Sequence, residues 1–344
     1  MASLSFAQLL QPVAQLFKQL TTVQPTAKVT IGVDIGSSAV KVVVLGPRKG
    51  PGARPILGQN LVPLNPGQET DPSDAVKSAI GALQVPAARF VNLSVSGQWV
   101  IMRIVEMPTM KPGEMKQALP FEAQRYLPFN VQDVVIDGAT LGPANANKSW
   151  VLIVACKKEL LERRIDWVRR AGYEVALMDV DALALANAFT AKSNGQIAER
   201  TQVLVNVGAQ LTSLVILRTS TPYLVRDIPW GGEKLLRGVA ELMGVEIGMV
   251  SKELMQGSPS PELLKAMTVT SEALVTELQL SFDYFENQFG HPPEALLLSG
   301  GLSQSTGFLE ALKSHLTQPV SVWAPVNGLS GQFAVAYGLA LRTD

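Results

Sequence analysis

The residues with the clearest chemical potential are a carboxylate, a glycine, two serines and a lysine near the start of the chain. Asp34, Gly36, Ser37, Ser38 and Lys41 follow one another across a short break between two apolar runs. A strand that ends in a carboxylate and turns through Gly and Ser exposes successive backbone N–H groups, which form a concave site for an anion. The carboxylate can also hold Mg²⁺ through a water molecule. The segment indicates a phosphate-binding turn, with an ordinary capped hairpin as the alternative.

A second turn of the same plan lies half the chain later. Residues 31–45 align without gaps on 203–217, at an offset of 172 residues, with four identities in fifteen positions. The second turn carries Asn206, Gly208, Ala209, Gln210 and Thr212. Two hairpins of one plan indicate two related domains, whose turns would grip phosphates from both sides.

Two further positions are candidates for chemistry. Gly300, Gly301 and Ser303 follow an apolar run, and glycines there let the backbone approach a flat ligand such as adenosine. Asp181 begins a predicted helix, where it would either orient water or Mg²⁺ as a general base or stabilise the helix N-terminus. The sequence has neither a Walker A motif nor a G-x-G-x-x-G after a strand, which argues against P-loop and Rossmann sites.

The elements that must position these residues form an alternating pattern of helices and strands. This alternation predicts an α/β protein with mixed sheets. The hairpins account for four strands, and 90–105 reads as two more, interrupted at 96–97. Further strands are predicted at 133–140, 150–155, 175–179 and 295–299, with helices at 72–83, 112–126, 158–171, 181–189, 235–243, 271–289, 307–315 and 331–341. Pro- and Gly-rich stretches at 46–55, 141–149 and 257–262 are predicted as exposed turns.

Composition excludes several classes of protein. The 344 residues carry 29 Lys plus Arg and 29 Asp plus Glu, so no net charge favours nucleic acid. One cysteine and two histidines do not readily supply a metal cluster or a Cys–His dyad, and a single thiol fits a reducing compartment. No apolar run is long enough for a membrane span and no secretory signal is evident, so we expect a cytoplasmic protein.

Residues 5–20 have an amphipathic helical pattern. This segment would lie on a membrane or partner surface, or dock on the body of the protein or on another copy.

The three turn elements, in this order, resemble the phosphate-1, phosphate-2 and adenosine motifs of the actin, Hsp70 and sugar-kinase superfamily. The segment between them is more specific. Residues 103–108 (RIVEMP), Glu114, residues 121–129 (FEAQRYLPF) and Asp137 resemble the type IV pilus assembly protein PilM family. Residues 155–160, 171–172 and 179–187 continue the resemblance, which spans nearly the whole chain.

This resemblance implies an actin-like fold, with two related domains around a nucleotide cleft and a relocated small subdomain in the first. The expected organisation is an N-terminal helix and linker (1–28), domain I (29–200, small subdomain about 106–178), domain II (201–334, small subdomain about 232–290) and a closing helix returning to domain I (335–344). The cleft would bind ATP and Mg²⁺. The turn residues above would contact the nucleotide together with Gly232 and Lys234, and Asp34 would hold Mg²⁺ through water.

Members of this family also capture the N-terminal cytoplasmic peptide of the inner-membrane protein PilN, and with PilO they connect the pilus motor to the envelope. By resemblance, the peptide would contact Met115, Leu119, Phe121, Glu122, Tyr126 and Leu127. The predicted helix 112–126 has an apolar face suited to such a groove. The alternative is that this face only joins the helix to its own subdomain.

Two departures from the family pattern leave catalysis open. Asn206 stands where the superfamily usually has Asp, and a neutral amide is a poorer partner for hydrated Mg²⁺. After Gly231–Gly232, relatives commonly have Ala-Glu-x-x-Lys, whereas this chain has Lys252 and Met255 at the Glu and Lys positions. Competing interpretations are a sugar or acid kinase, a filament-forming membrane tether like the division protein FtsA, and the cytoplasmic part of the secretion protein GspL.

Overall fold

The computed structural model describes residues 29–48, 54–65, 70–85, 89–192, 200–254 and 258–343, so the predicted N-terminal helix at 5–20 lies outside the described residues. The chain forms two compact units. Unit 1 contains the described residues up to Asn187 and from Val335 onward, and unit 2 contains Ala188–Ala334. The sequence-based boundaries, 200/201 and 334/335, differ from these by thirteen residues at the first junction.

The described helices and strands form the mixed α/β architecture that the sequence predicts. Unit 1 contains β1 (Thr30–Ile35), β2 (Ala39–Leu45), β3 (Ile56–Pro63), α1 (Ser73–Gly81), β4 (Phe90–Val95), β5 (Val100–Pro108), α2 (Pro112–Ala123), β6 (Val134–Asn145), β7 (Lys148–Lys157), α3 (Lys158–Arg170), β8 (Glu174–Val180) and the start of α4 (Asp181–Lys192). Unit 2 contains β9 (Thr201–Val207), β10 (Thr212–Arg218), β11 (Thr221–Ile228), α5 (Gly232–Met243), α6 (Ile247–Leu254), α7 (Pro261–Phe289), β12 (Ala295–Gly300), α8 (Thr306–His315) and β13 (Val320–Val322). Helix α9 (Ala334–Leu341) leads the chain back into unit 1.

The main sheet of unit 1 has the strand order β3-β2-β1-β4-β8. Strands β1, β2 and β3 pair antiparallel, whereas β4 runs parallel to both β1 and β8. The carboxyl ends of β1, β4 and β8 therefore lie at one edge of the sheet. Strands β1 and β2 are buried along almost their whole length, which explains their continuous runs of Val, Ile and Leu.

A small antiparallel sheet, in the order β5-β7-β6, is inserted between β4 and α3. Helix α2 packs on one face of it and buries a cluster that contains Val105, Met107, Met115, Leu119, Ala123, Val151 and Ile153. A Cβ at Gly138 would lie 2.7 Å from the carbonyl oxygen of Leu152 in the neighbouring strand and 2.8 Å from a methyl carbon of Leu119 in the helix. A glycine is therefore required at this point of β6.

The sheet of unit 2 repeats the plan of the first. Its strand order is β11-β10-β9-β12-β13, with β9, β10 and β11 antiparallel and β12 parallel to both neighbours. The hairpins have equivalent registers: Val33 pairs with Val42 in the first, and Val205 with Leu214 in the second, each 172 residues later. The sequence repeat thus corresponds to a repeat of topology.

Several sequence expectations need correction. Residues 141–149 are not simply an exposed turn, because β6 continues to Asn145 and β7 begins at Lys148. β6 is an edge strand, and an edge tolerates Pro143, which lacks an N–H for the ladder. Helix α2 ends at Ala123 rather than at 126, because the chain then turns more tightly: the amides of Arg125 and Tyr126 donate to the carbonyl oxygens of Glu122 and Ala123, three residues earlier. Strands β3, β11 and β13, helix α6 and the first ten residues of α7 were not predicted.

Helix α9 is fixed to unit 1 by two glycines. A Cβ at Gly32 of β1 would lie 2.0 Å from the carbonyl oxygen of Ala336, and one at Gly338 of α9 would lie 1.8 Å from that of Ala184 in α4. The amide of Asn92 in β4 also donates to the carbonyl oxygen of Leu339 at 2.8 Å. Helix α9 therefore lies in backbone contact with both β1 and α4.

We expect Gly338→Ala to lower the free energy of unfolding by about 2 kcal/mol or more, because the added methyl forces the two helices apart. Gly81→Ala is the matched control. It also replaces a helical glycine of unit 1, but its Cβ would meet no atom within 4 Å, so we expect a stabilisation of about 0.5–1 kcal/mol. Urea unfolding of both variants measures the difference. Equal effects would show that close packing at α9 does not contribute to stability.

Candidate functional site

The turn between β1 and β2 has the geometry of an anion-binding loop. Its backbone is closed by the amide of Gly36, which donates to the carbonyl oxygen of Ala39 at 3.1 Å. For the next two amides, those of Ser37 and Ser38, the described part of the chain provides no hydrogen-bond acceptor. Lys41 lies opposite Asp34 in the ladder and pairs with it, Nζ to Oδ2, at 3.0 Å. Five predicted nucleotide contacts thus lie together on one hairpin.

Asp181 lies at the same edge of the sheet, because β8 ends where α4 begins. Burial raises the pKa of the Asp181 carboxyl, and the Asp34 carboxylate raises it further; the Arg164 guanidinium and the hydroxyls of Ser94 and Ser96 act in the opposite direction. Asp34 and Asp181 are therefore close enough to interact electrostatically, although 147 residues separate them in the sequence. Parallel strands bring both carboxylates to this edge.

Sequence reasoning missed Arg164, Ser94 and Ser96 as parts of this edge. Arg164 lies on α3, and its Nη1 donates to the carbonyl oxygen of Ile35 at 3.1 Å. The sequence predicts an interruption between two strands at 96–97, and Gly97 adopts a positive φ of 92° there. The sequence signal for this part of the edge is the Ser96–Gly97 break after a buried strand. Its value depends on the strand order, because only the parallel pairing of β4 with β1 brings this break beside the first turn.

The second hairpin reproduces the first turn in unit 2. Its amide at Gly208 donates to the carbonyl oxygen of Leu211 at 2.9 Å, and the amides of Ala209 and Gln210 have no acceptor among the described residues. Its chemistry is neutral, however. Asn206 accepts a hydrogen bond from the Ser299 hydroxyl at 3.3 Å, where the first hairpin has its ion pair.

The N-terminus of α5 holds the second turn in place. The amides of Gly232 and Glu233 donate to the carbonyl oxygens of Gly208 and Ala209, at 2.9 and 2.8 Å. A Cβ at Gly231 would lie 2.5 Å from the carbonyl oxygen of Ala209, so this contact excludes a side chain there. Gly232 thus adjoins the predicted site, but its amide is already used within the protein.

Three other predicted contacts in unit 2 also have internal partners. The hydroxyl of buried Thr212 donates to the carbonyl oxygen of Trp230 at 2.7 Å, and that of Ser303 donates to the carbonyl oxygen of Gly300 at 2.7 Å. The ammonium of Lys234 donates to the carbonyl oxygen of Pro229 at 2.6 Å. These groups stabilise the turns in this structure, and their contact with a nucleotide stays a prediction.

Gly300 and Gly301 differ in what they permit. Gly300 has a φ of 88°, and its Cβ would lie 2.3 Å from the carbonyl oxygen of Val207, so the close pairing of β12 with β9 requires a glycine. A Cβ at Gly301 would meet nothing within 4 Å. The backbone at Gly301 is therefore accessible, as the predicted contact with a flat ligand requires.

The predicted peptide contacts on and after α2 separate into two groups. Met115 and Leu119 are only 7% and 4% exposed and belong to the core beneath the helix, which favours the alternative that they join the helix to its own subdomain. Phe121 is 78% exposed. Tyr126 and Leu127 are half-buried at the edge of the core, and the Tyr126 hydroxyl donates to the Glu122 carboxylate at 3.3 Å.

Two negative findings apply to the described residues. They contain no group of three or more His, Cys, Asp or Glu side chains arranged to hold a metal ion. Mg²⁺ is commonly bound by one or two carboxylates together with phosphate oxygens, so a single carboxylate, that of Asp34, is sufficient for the predicted role. None of the helices in the described part of the chain is long and apolar enough to cross a membrane.

One buried carboxyl lies outside the two turns. Asp137 of β6 accepts the amide of Gly138 at Oδ1, but its Oδ2 is buried without a hydrogen-bond partner. Burial raises the pKa of Asp137 to about 7, against the opposing effects of the Gly138 amide and the charges of Lys116 and Arg342. The group is therefore largely neutral in mildly acidic solution.

The repeated sheets and paired turns define a protein of the actin-like ATPase fold. The family model described as type IV pilus assembly protein PilM matches residues 32–344, so the chain belongs to that family. A solved PilM-PilN type IV pilus biogenesis complex contains a similar chain, with 24% identity, a TM-score of 0.79, and coverage of 92% of this chain and 98% of that one.

More distant structures share the fold. The ethanolamine utilization protein EutJ from Carboxydothermus hydrogenoformans is 14% identical, with a TM-score of 0.58 and coverage of 97% of this chain and 98% of that chain. A protein of unknown function with an actin-like ATPase fold from Bacteroides thetaiotaomicron is 10% identical, with a TM-score of 0.50 and coverage of 91% and 96%.

We expect Asp137→Asn to stabilise the protein in a pH-dependent way. The folded pKa of about 7 lies above the ordinary value of 3.8, so the folded state prefers the neutral carboxyl and the wild type loses stability as the pH rises between these values. The variant removes this loss, so its advantage is small near pH 4 and reaches up to about 4 kcal/mol above pH 7. Urea unfolding across this range tests it, and a pH-independent difference would contradict it.

Proposed function

We propose that this protein is a cytoplasmic adaptor of type IV pilus assembly that holds ATP and captures the N-terminal cytoplasmic peptide of PilN. Membership of the PilM family supports the pilus assignment, and the similar chain in a solved PilM-PilN complex supports PilN as partner. Through PilN and PilO the adaptor would connect the pilus motor to the inner membrane. These wider contacts follow the family resemblance.

The observation that carries the nucleotide part of the proposal is the duplicated turn. Each turn is closed by an equivalent hydrogen bond, which the amide of its glycine donates to a carbonyl oxygen three residues later. Each turn also leaves two successive amides available to an anion. Asp34 supplies a carboxylate for Mg²⁺ through water, while Gly301 leaves its backbone open to an adenosine ring. The residues present therefore fit Mg²⁺-ATP, whose phosphate oxygens would provide acceptors for the free amides of such a turn.

The chain's own residues favour holding ATP over hydrolysing it. Asp181 has a raised pKa and lies near Asp34, which suits a group that orients water at this edge. On the second hairpin, however, Asn206 offers an amide that hydrogen-bonds to Ser299. A neutral amide neither attracts hydrated Mg²⁺ nor polarises water as a carboxylate does. Slow turnover or none is the expected consequence.

The exposed side of α2 and the segment after it carry the peptide part of the proposal. Phe121 projects an aromatic ring into solvent, and the Glu122 carboxylate is positioned by Tyr126 and by Arg125 at 3.2 Å. An exposed aromatic ring beside an ordered carboxylate suits a peptide with apolar side chains and a hydrogen-bond donor. Met115 and Leu119 would support this surface from beneath.

We expect the purified protein to bind Mg²⁺-ATP with little turnover, and Asn206→Asp to increase the turnover. The substitution keeps the Oδ1 acceptor for Ser299, so the fold is retained while a carboxylate is added. Calorimetry measures binding, and phosphate release measures hydrolysis. Ser213→Ala is a control on the neighbouring strand of the same hairpin. Absence of ATP binding by the wild type would refute the nucleotide part, leaving peptide capture as the function.

We expect Phe121→Ala to weaken binding of a synthetic PilN N-terminal peptide by about tenfold while leaving the melting temperature unchanged, because the ring buries little surface in the protein. Leu119→Ala is the matched variant on the buried side of α2. It should lower the free energy of unfolding by about 2–4 kcal/mol. Unchanged peptide affinity for Phe121→Ala would refute this surface as the peptide site.

A further inference from the structure

We propose that Arg164 is a phosphate-binding residue of the nucleotide site, although it lies on helix α3 and not in either of the two turns. This inference rests on the proposed nucleotide function. Arg164 lies at the site edge because α3 begins where β7 returns to the main sheet. Its Nη1 donates to the carbonyl oxygen of Ile35, the residue immediately before the phosphate-binding turn, at 3.1 Å.

The hydrogen bonding of Arg164 is incomplete. Its Nε atom is buried and has no hydrogen-bond partner in the described part of the chain. A guanidinium presents a planar set of donors that matches the oxygens of a phosphate, and a buried donor without a partner is costly. The Ile35 carbonyl uses one donor, so an anion at the Gly36–Ser38 turn would provide the missing acceptor.

Charge at the site edge also favours this role. Lys41, the predicted cation of the first turn, is already paired with Asp34. Lys41 offsets the charge of Asp34, so binding of a polyphosphate at this edge would need Mg²⁺ or a further cation. Arg164 interacts electrostatically with Asp181 from the same edge.

The sequence gives no sign of this role. Arg163, Arg164, Arg169 and Arg170 all lie on α3, in a segment that reads as an ordinary charged helix. Only the return of the chain from the small sheet directs Arg164 to the end of β1. By contrast, Arg170 is on the exposed end of the helix and pairs with Asp71 at 2.9 Å and with Asp166.

The test compares Arg164→Gln, Arg164→Lys and Arg170→Gln with the wild type, by calorimetry with Mg²⁺-ATP and by melting curves without nucleotide. Gln keeps a donor for the Ile35 carbonyl but removes the charge. We expect Arg164→Gln to weaken ATP binding about 10- to 100-fold, Arg164→Lys to restore part of the affinity, and Arg170→Gln to have no effect. The PilN peptide affinity of each variant provides a second readout of folding.

The outcomes separate this inference from the proposed function. If the wild type binds no nucleotide, the nucleotide function itself fails. If the wild type binds ATP and Arg164→Gln binds it equally, Arg164 only caps the Ile35 carbonyl and the inference is wrong. If Arg164→Gln loses its melting transition and its peptide binding, the folded Arg164→Lys variant decides. Weaker ATP binding by Arg164→Lys than by the wild type supports the inference, and wild-type affinity overturns it.

Discussion

The parallel pairing of β1, β4 and β8 is the constraint on which the candidate site of unit 1 depends. Because these strands run in one direction, their carboxyl ends bring the first turn, the Ser94–Gly97 segment and Asp181 to one edge of the sheet. The buried side chains of the strands hold this edge in place. Helix α9 adds backbone contacts at Gly32 and Gly338, so the end of the chain also contributes to positioning the first hairpin.

Duplication and divergence explain the character of the two turns. Both hairpins keep the same register and the same closing bond, which are properties of the backbone. Their side chains differ: the pair Asp34 and Lys41 corresponds to Asn206 and Ser213. The same turn geometry, with two amides that lack an acceptor among the described residues, is therefore present in both units, whereas the pair of charges at these positions occurs in unit 1. This asymmetry suits the proposed role of an adaptor that holds a nucleotide.

The small sheet is connected to the rest of unit 1 by two chain segments that meet at one cluster of side chains. The amide of Lys157 donates to the carbonyl oxygen of Trp99 at 3.2 Å, and its ammonium lies 4.1 Å from the Trp99 ring and 4.6 Å from the Phe129 ring. Phe129 belongs to the segment that follows α2. These cation–π contacts attach the segment that follows α2, which carries the candidate peptide surface, to the two chain connections of the small sheet. One connection follows Ser96, and the other leads into α3 with Arg164.

The sequence by itself determined the local elements. The apolar runs of β1 and β9, the glycine turns and the 172-residue repeat fix two hairpins, because register and turn chemistry act over a few residues. The motif 121–129 also indicated the family. Only the tertiary structure decided that Met115 and Leu119 are core while Phe121 is exposed, that edge strand β6 includes Pro143, and that Arg164 reaches Ile35. These depend on which strands become neighbours, and that pairing joins residues far apart in the chain.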